Sequence, residues 1–332
     1  MKNKKIIYGI VGCGRVFPVH VDAIKKDKNS RLKAVFDIDR RAAEKAAKKY
    51  SCQAKGSLAE LLSDPEIDVI NICTPHHTHK NIILEVIKAG KYCICEKPLC
   101  LNKKEGEEII KSKYYKNNVF VMFQNRFNPA MQFLSKAIKE DALGKIILCS
   151  VSLRWWRDDS YFMDEWHGSK KKVGGMLYNQ ASHVLDIMRK ICGEPKSVKK
   201  VEASLRKNIN IDDIYEGNIV FNNGTIGNVE VTTYAGYKDW EVSMFVIGEK
   251  GTIKIGGLSI NNVEYVDVKN KNFAKMAPKY CEKIKTGYGN SHPRVISAFS
   301  EWLLGGKRHP DLVSAKEGVL STMFFEKLYN GK

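Results

Sequence analysis

Between residues 5 and 124, short apolar runs alternate with stretches of helical spacing, and this rhythm constrains the chain more than any other feature. "KIIYGIVGCG" is an apolar strand running into a glycine turn, and "RLKAVFDID" is a second strand. Residues 40–50, rich in Ala, Lys and Glu, have the spacing of a helix. "SLAE" at 57–60 is a capping box opening a short helix. "DVINICTP" is almost wholly apolar, as a strand covered on both faces of a parallel sheet must be. Residues 81–89 read as a helix closed by Gly90, "KYCIC" as a strand, 103–115 as a helix and "NVFVMF" as a strand. The alternation predicts an α/β Rossmann domain, a doubly wound parallel sheet.

After an amphipathic helix at 129–140 the pattern changes to long strands with alternating faces and tight turns. "KIILCSVSLRWW", "SVKKVEASL", "YEGNIVFNNGTIGNVEVTTY" and "WEVSMFVIGEKGTIKIGG" belong to it, with Asn223-Gly224 as a type I′ hairpin signal. These strands predict an α+β domain whose antiparallel sheet is open on one face unless a partner covers it. The expected division is 1–125 for a nucleotide-binding domain and 126–332 for a substrate and oligomerisation domain. The terminal helix, "SAKEGVLSTMFFEKL", is expected to pack back on the body.

Nine cysteines are an odd number, and several lie in apolar runs such as "VINIC", where a thiol behaves as a small hydrophobe. That usage fits a reducing cytoplasm. The apolar run after "MKNKK" is too short for a secretion signal, and no stretch approaches a membrane span. A net charge of +18 raises the question of nucleic acid, but the lysines are scattered and lack interleaved aromatics. Neither nucleic acid nor membrane is therefore expected as a partner, whereas a diphosphate-bearing substrate would gain from the positive field.

Four places offer chemistry. Gly12-Cys13-Gly14 follows the first strand, where glycines let backbone approach a pyrophosphate, although Phe17 stands at the usual third glycine. Asp37, at the end of the second strand, is placed to grip ribose hydroxyls and repel a 2′-phosphate, which favours NAD; Asp39 competes as a ligand or a helix cap. "CTPHHTHK" (73–80) tempts toward zinc, but its histidines leave a strand end in different directions, so no metal is expected; Thr74 and Pro75 mark the ligand-bearing sheet edge. Glu96-Lys97-Pro98 ends another strand on that edge, with Lys97 a candidate hydrogen-bond donor to a reacting hydroxyl and Glu96 its support. In the second domain, Asn179, His183 and Asp186 fall near one helix face by spacing, and His183 has the titration range of a general base.

"GCGRVFPVH", "CTPHHTH", "AGKYCICEKPL" and Gly174-Gly175…Asn179…His183, in that order over nearly the whole length, resemble the glucose–fructose oxidoreductase/inositol dehydrogenase (Gfo/Idh/MocA) family. The resemblance implies hydride exchange between NAD(P) and a sugar or cyclitol carbon, a cis bond before Pro98, and oligomer contacts through the open sheet face, as a dimer or tetramer. It implies a cofactor site of Gly12, Gly14, Arg15, Val16, Asp37, Thr74, Pro75, His79, Glu96, Lys97 and Gln124, and Lys97 and His183 as catalytic groups. Asn179 stands where many members carry aspartate. With "QNRFNPA", "RWWRDDSYF" and "GYGNSHP" it makes the chain similar to the UDP-N-acetyl-2-amino-2-deoxyglucuronate 3-dehydrogenase branch, which serves surface-polysaccharide synthesis. Substrate contacts then expected are Arg126, Asn128, Arg154, Trp156, Arg157, Asn179, Asn290 and His292, beside Lys97 and His183; the arginines would hold a diphosphate or carboxylate. Tyr178 is a further candidate. A keto-sugar reductase or another sugar dehydrogenase of the same fold is the rival reading, and a non-catalytic NAD-bound sensor is the rival of another class.

Overall fold

The computed structural model describes residues 5–207 and 209–331, which form two compact units, one of the described residues up to 123 with 291–322, the other of those from 124 to 290 with 323–331. In the first, strands β1 (Ile6–Val11), β2 (Ser30–Phe36), β3 (Gln53–Ala54), β4 (Val69–Ile72), β5 (Tyr92–Glu96) and β6 (Val119–Met122) lie parallel in the order β6-β5-β4-β1-β2-β3. Helices α1 (Phe17–Lys26), α2 (Arg40–Tyr50), α3 (Leu58–Ser63), α4 (His79–Lys88) and α5 (Lys103–Lys111) connect them. Every residue of β4 and β6 is buried, which explains their unbroken apolar composition. The order reverses beside β1, so the carboxyl ends of β1, β4 and β5 share one edge.

The sequence division at 125 kept the last two hundred residues together; the structure instead packs 291–322 with the first unit. A short strand, Val313–Ser314, pairs antiparallel with β6 and completes a seven-stranded sheet. The helix His292–Leu303 places Phe299 edge-on to Phe120 and Tyr92, and Trp302 edge-on to Tyr92 and tilted against Phe120. Its Ser300 hydroxyl joins the buried hydroxyls of Tyr8 (2.9 Å) and Ser30 (2.8 Å). No periodicity in 291–322 signals this return, because the pairing is non-local.

The second unit carries strands β7 (Ile146–Arg154), β8 (Pro195–Ala203), β9 (Ile214–Phe221), β10 (Ile226–Thr232), β11 (Glu241–Gly248), β12 (Gly251–Gly256) and β13 (Asn262–Val268). Their order is β13-β12-β11-β7-β10-β9-β8. All neighbours are antiparallel except β7 and β10, which run parallel, a departure from the purely antiparallel expectation. Parallel neighbours need a long crossover, and the chain between these two holds α7 (Lys170–Val173), α8 (Met176–Asn179), α9 (Ser182–Cys192), β8 and β9. Helix α6 (Pro129–Lys139) precedes β7. In β9, Tyr215, Gly217, Ile219 and Phe221 are buried while Glu216, Asn218 and Val220 are exposed, so one sheet face is open. All nine cysteines are free, and no helix among the described residues is long and apolar enough to cross a membrane.

Candidate active site

At the first sheet edge, Gly12 has φ +94°, and a Cβ there would lie 2.5 Å from the Cys73 carbonyl oxygen. Only glycine fits. A Cβ on Gly14 would meet nothing within 4 Å, so the open space there faces the start of α1. That helix has no acidic residue in its first turn and no side-chain cap, so nothing offsets the positive end of its dipole there. The Asp37 carboxylate accepts from the Cys13 N–H (2.6 Å) and the Asp39 N–H (2.8 Å), so it is fixed against the glycine loop. Asp39 proves to be the cap of α2, accepting from the Arg41 N–H at 2.9 Å. Burial, and then Asp37, push the Cys13 thiol up to about 12, so it stays neutral. Phe17, in place of the third glycine, is buried edge-on to Tyr50. An open cradle, a free helix start and a fixed carboxylate suit a dinucleotide with an unphosphorylated ribose.

The Thr74 hydroxyl meets that of Thr78 at 2.7 Å, and the Thr78 hydroxyl donates to the Pro75 carbonyl at 2.7 Å. His79, expected at the cofactor, is fully buried and bridges the carbonyls of Thr74 (2.9 Å) and Pro98 (2.8 Å). It shapes the edge from behind. Burial lowers its pKa against the pull of those two carbonyls. The Lys97–Pro98 peptide is cis.

Glu96 ends β5 and is buried. Asn71, on β4, donates from Nδ2 to His20 Nδ1 at 3.0 Å, which leaves the ring proton on Nε2; Nε2 donates to Glu96 Oε1 at 2.7 Å. The Lys97 backbone N–H donates to Glu96 Oε2 at 3.2 Å. Burial opposes the charge on Glu96, but His20 and His292 outweigh it and hold the carboxyl well below its usual range. Burial pulls the Lys97 ammonium below its ordinary value, and the Glu96 charge works the other way. His292, expected to bind substrate, is buried in this unit with Nε2 3.8 Å from Glu96 Oε1. The nitrogens of His20 and His292 and the Glu96 oxygen lie within 4.8 Å of one another. Ligands of one ion at about 2.1 Å sit roughly 3.3 Å apart. The 2.7 Å contact is a hydrogen bond, too close for two ligands of one ion, and at 3.8 Å the His292 ring lies beyond hydrogen-bond reach of Glu96, so the trio does not have the spacing of a coordination shell.

In the second unit, Gly174 and Gly175 have φ of +89° and +100°, and a Cβ on Gly175 would lie 2.4 Å from the Tyr329 hydroxyl. That hydroxyl donates to Asp212 (2.6 Å) and accepts from the Leu177 N–H (3.1 Å), while Tyr178 stacks on the Tyr329 ring, a packing role. Asn179 ends α8 and His183 lies in α9, so the two do not share one helix as their spacing suggested. Asn179 donates to the Tyr161 hydroxyl at 3.0 Å; His183 is half-buried. Asp186 makes a two-pronged pair with Arg126 (2.6 and 2.8 Å), both side chains wholly buried.

Arg126 is thus spoken for, contrary to its expected substrate role. Arg154 pairs with Glu230 and Glu241 on the face of β7 opposite buried Leu153, and Arg157 pairs with Asp239 at 2.7 Å. Asn128 is buried, donating to the Ser259 carbonyl at 2.6 Å, and exposed Asn290 donates to the Lys283 carbonyl at 3.2 Å. The Trp156 ring packs on Tyr234 and Tyr237, and Trp155 lies under the Arg157 guanidinium. Gln124 is buried, and its Oε1 has no hydrogen-bond partner among the described residues. Arg15 and Val16 occupy the turn into α1, with Val16 at its N-cap. Sequence reasoning passed over His20 as a functional residue. The signal was there: Phe17, His20, Val21 and Ile24 make the buried face of α1, and an imidazole on such a face needs a partner.

Comparison with known proteins places these features. A family profile described as "Oxidoreductase family, NAD-binding Rossmann fold" matches residues 6–124, and one described as "GFO/IDH/MocA C-terminal domain" matches 131–254. The crystal structure of the WlbA dehydrogenase from Chromobacterium violaceum, in complex with NADH and UDP-GlcNAcA, superposes with a TM-score of 0.90 at 26% identity, covering 99% of this chain and 94% of that one. A 2,7-anhydro-N-acetylneuraminate hydratase from Escherichia coli is 27% identical over 75% of this chain and 67% of its own length. Levoglucosan dehydrogenase from Pseudarthrobacter phenanthrenivorans is 29% identical over 67% of this chain, a match spanning 64% of that relative.

Proposed function

Because this chain belongs to the Gfo/Idh/MocA oxidoreductase family and binds NAD, we propose that it oxidises the C3 hydroxyl of a UDP-linked N-acetylamino sugar, carrying a C6 carboxylate, to a 3-keto sugar. The observation that carries this reading is the likeness over 99% of the chain to a dehydrogenase holding NADH and UDP-GlcNAcA. NAD, when bound, supplies the hydride acceptor. His183 takes the hydroxyl proton as general base. The Lys97 ammonium donates a hydrogen bond to the same oxygen as negative charge develops there. Gly12, Gly14 and the start of α1 hold the pyrophosphate, and Asp37 holds the ribose. Such a product feeds surface-polysaccharide synthesis. A second copy on the open sheet face is the expected oligomer contact, testable by sedimentation.

One observation favours a second reading, an uncharged sugar as in levoglucosan dehydrogenase: Arg126, Arg154 and Arg157 already answer carboxylates of this chain. NADH absorbance separates the two. The protein is mixed with NAD and UDP-GlcNAc uronate, UDP-GlcNAc or levoglucosan. The first reading expects turnover of the uronate, falling at least about a hundredfold in Lys97→Ala and in His183→Ala. Near-native rates in both variants would end the catalytic assignment, and turnover of levoglucosan alone would select the second reading.

A further inference from the structure

His20 and Asn71 have no part in the chemistry above, yet both are wholly buried and chained to the residue that precedes the proposed catalytic lysine. We propose that His20 is a positioning residue for Lys97, acting through Glu96: its Nε2–H bond holds the carboxylate where its charge supports the lysine ammonium. This rests on the reading that Lys97 works as a cation.

Glu96 Oε1 takes the His20 proton and Oε2 takes the Lys97 backbone N–H, so the carboxylate is gripped from both sides. The groups facing it are His20 from α1, His292 from the helix His292–Leu303, Cys73 after β4, Cys95 on its own strand, His79 from α4, and Lys97. Burial keeps both thiols protonated and lowers the pKa of His79 and of His292. The charge kept on Glu96 favours the Lys97 ammonium, whose own burial works against its proton. Without the His20 donor, a buried carboxylate that has lost a hydrogen bond takes up a proton more readily. Released on one side, the carboxylate also turns from the position in which His20 holds it, so its charge supports Lys97 less and the ammonium sheds its proton at lower pH.

Competitive acetylation read by mass spectrometry reports the pH midpoint of Lys97 in the full chain loaded with NAD. His20→Leu should lower that midpoint by roughly one pH unit and carry the alkaline limb of kcat/KM down with it. His20→Gln, which keeps an N–H near the Nε2 position, should stay near the parent. Glu96→Gln should also lower the midpoint, and adding His20→Leu to it should move it no further. If His20→Leu fails to bind NAD, Asn71→Ser replaces it, with a smaller shift in the same direction. An unmoved midpoint in a folded, NAD-binding variant overturns the proposal, as does a full His20→Leu shift in the Glu96→Gln background. One zinc per chain, lost in His20→Leu, also overturns it. The midpoint needs no substrate. A shift of the stated size in a protein that oxidises no nucleotide sugar supports the positioning and overturns only the substrate reading.

Discussion

Arg126 offers the sharpest separation between a ligand-binding residue and a packing one. Its guanidinium and the Asp186 carboxylate meet through two hydrogen bonds of 2.6 and 2.8 Å, with neither side chain exposed. Arg126→Met removes the cation and strands a buried carboxylate, which costs about 3–5 kcal/mol. For a domain of this size each kcal/mol lowers Tm by about 2–4 °C, so the midpoint should fall by roughly 6–20 °C. Replacing both partners, Arg126→Met with Asp186→Leu, removes the stranded charge. Apolar pairs of similar volume are often neutral substitutes for buried ion pairs, so the double variant should recover most of the loss. Scanning calorimetry gives the midpoints, and KM for the nucleotide sugar is measured on both variants. A single variant that keeps its Tm within about 2 °C while KM rises tenfold would refute the reasoning and return Arg126 to the substrate.

Asp37→Ser should raise the ratio of kcat/KM for NADP to that for NAD by at least about tenfold, because the carboxylate that repels a 2′-phosphate is gone; an unchanged ratio would place the selectivity elsewhere. Gly12→Ala should lose about 2 kcal/mol or more and bind NAD poorly, since a methyl would enter the Cys73 carbonyl at a positive φ; native stability in urea would contradict the close approach. Glu96 contributes to acid sensitivity with a definite sign. Its folded pKa lies below the unfolded value of about 4.3, so the unfolded chain binds more protons and stability drops as pH falls through that range. Glu96→Gln should flatten the loss between about pH 5 and 3; equal slopes in the two proteins would count against it.

The Rossmann sheet was legible because its signals are local. Apolar runs such as Val69–Ile72, the Ser57 cap and the Gly12 turn each follow from neighbours in sequence. Asp37 was legible for the same reason, lying just beyond β2. What stayed hidden depends on contacts distant in sequence. Nothing around His292 announces that its ring ends beside Glu96, and nothing around Arg126 announces Asp186, sixty residues on. Charge on an arginine reads alike whether it meets a diphosphate or a buried aspartate; only the partner decides. The helix break at Gln180–Ala181 was equally silent, since spacing carries Asn179 and His183 onto one face only if the helix is continuous.

The return of residues 291–322 has a consequence for synthesis on the ribosome. When β6 emerges, its outer edge has no neighbour until Val313–Ser314 is made, and Tyr92 and Phe120 wait for Phe299 and Trp302. An unpaired strand edge beside bare aromatics invites association with other chains. The amino-terminal unit therefore waits for residues 291–322 although most of it is translated first, and a gene fragment ending near residue 124 should yield insoluble product rather than an isolated nucleotide-binding module.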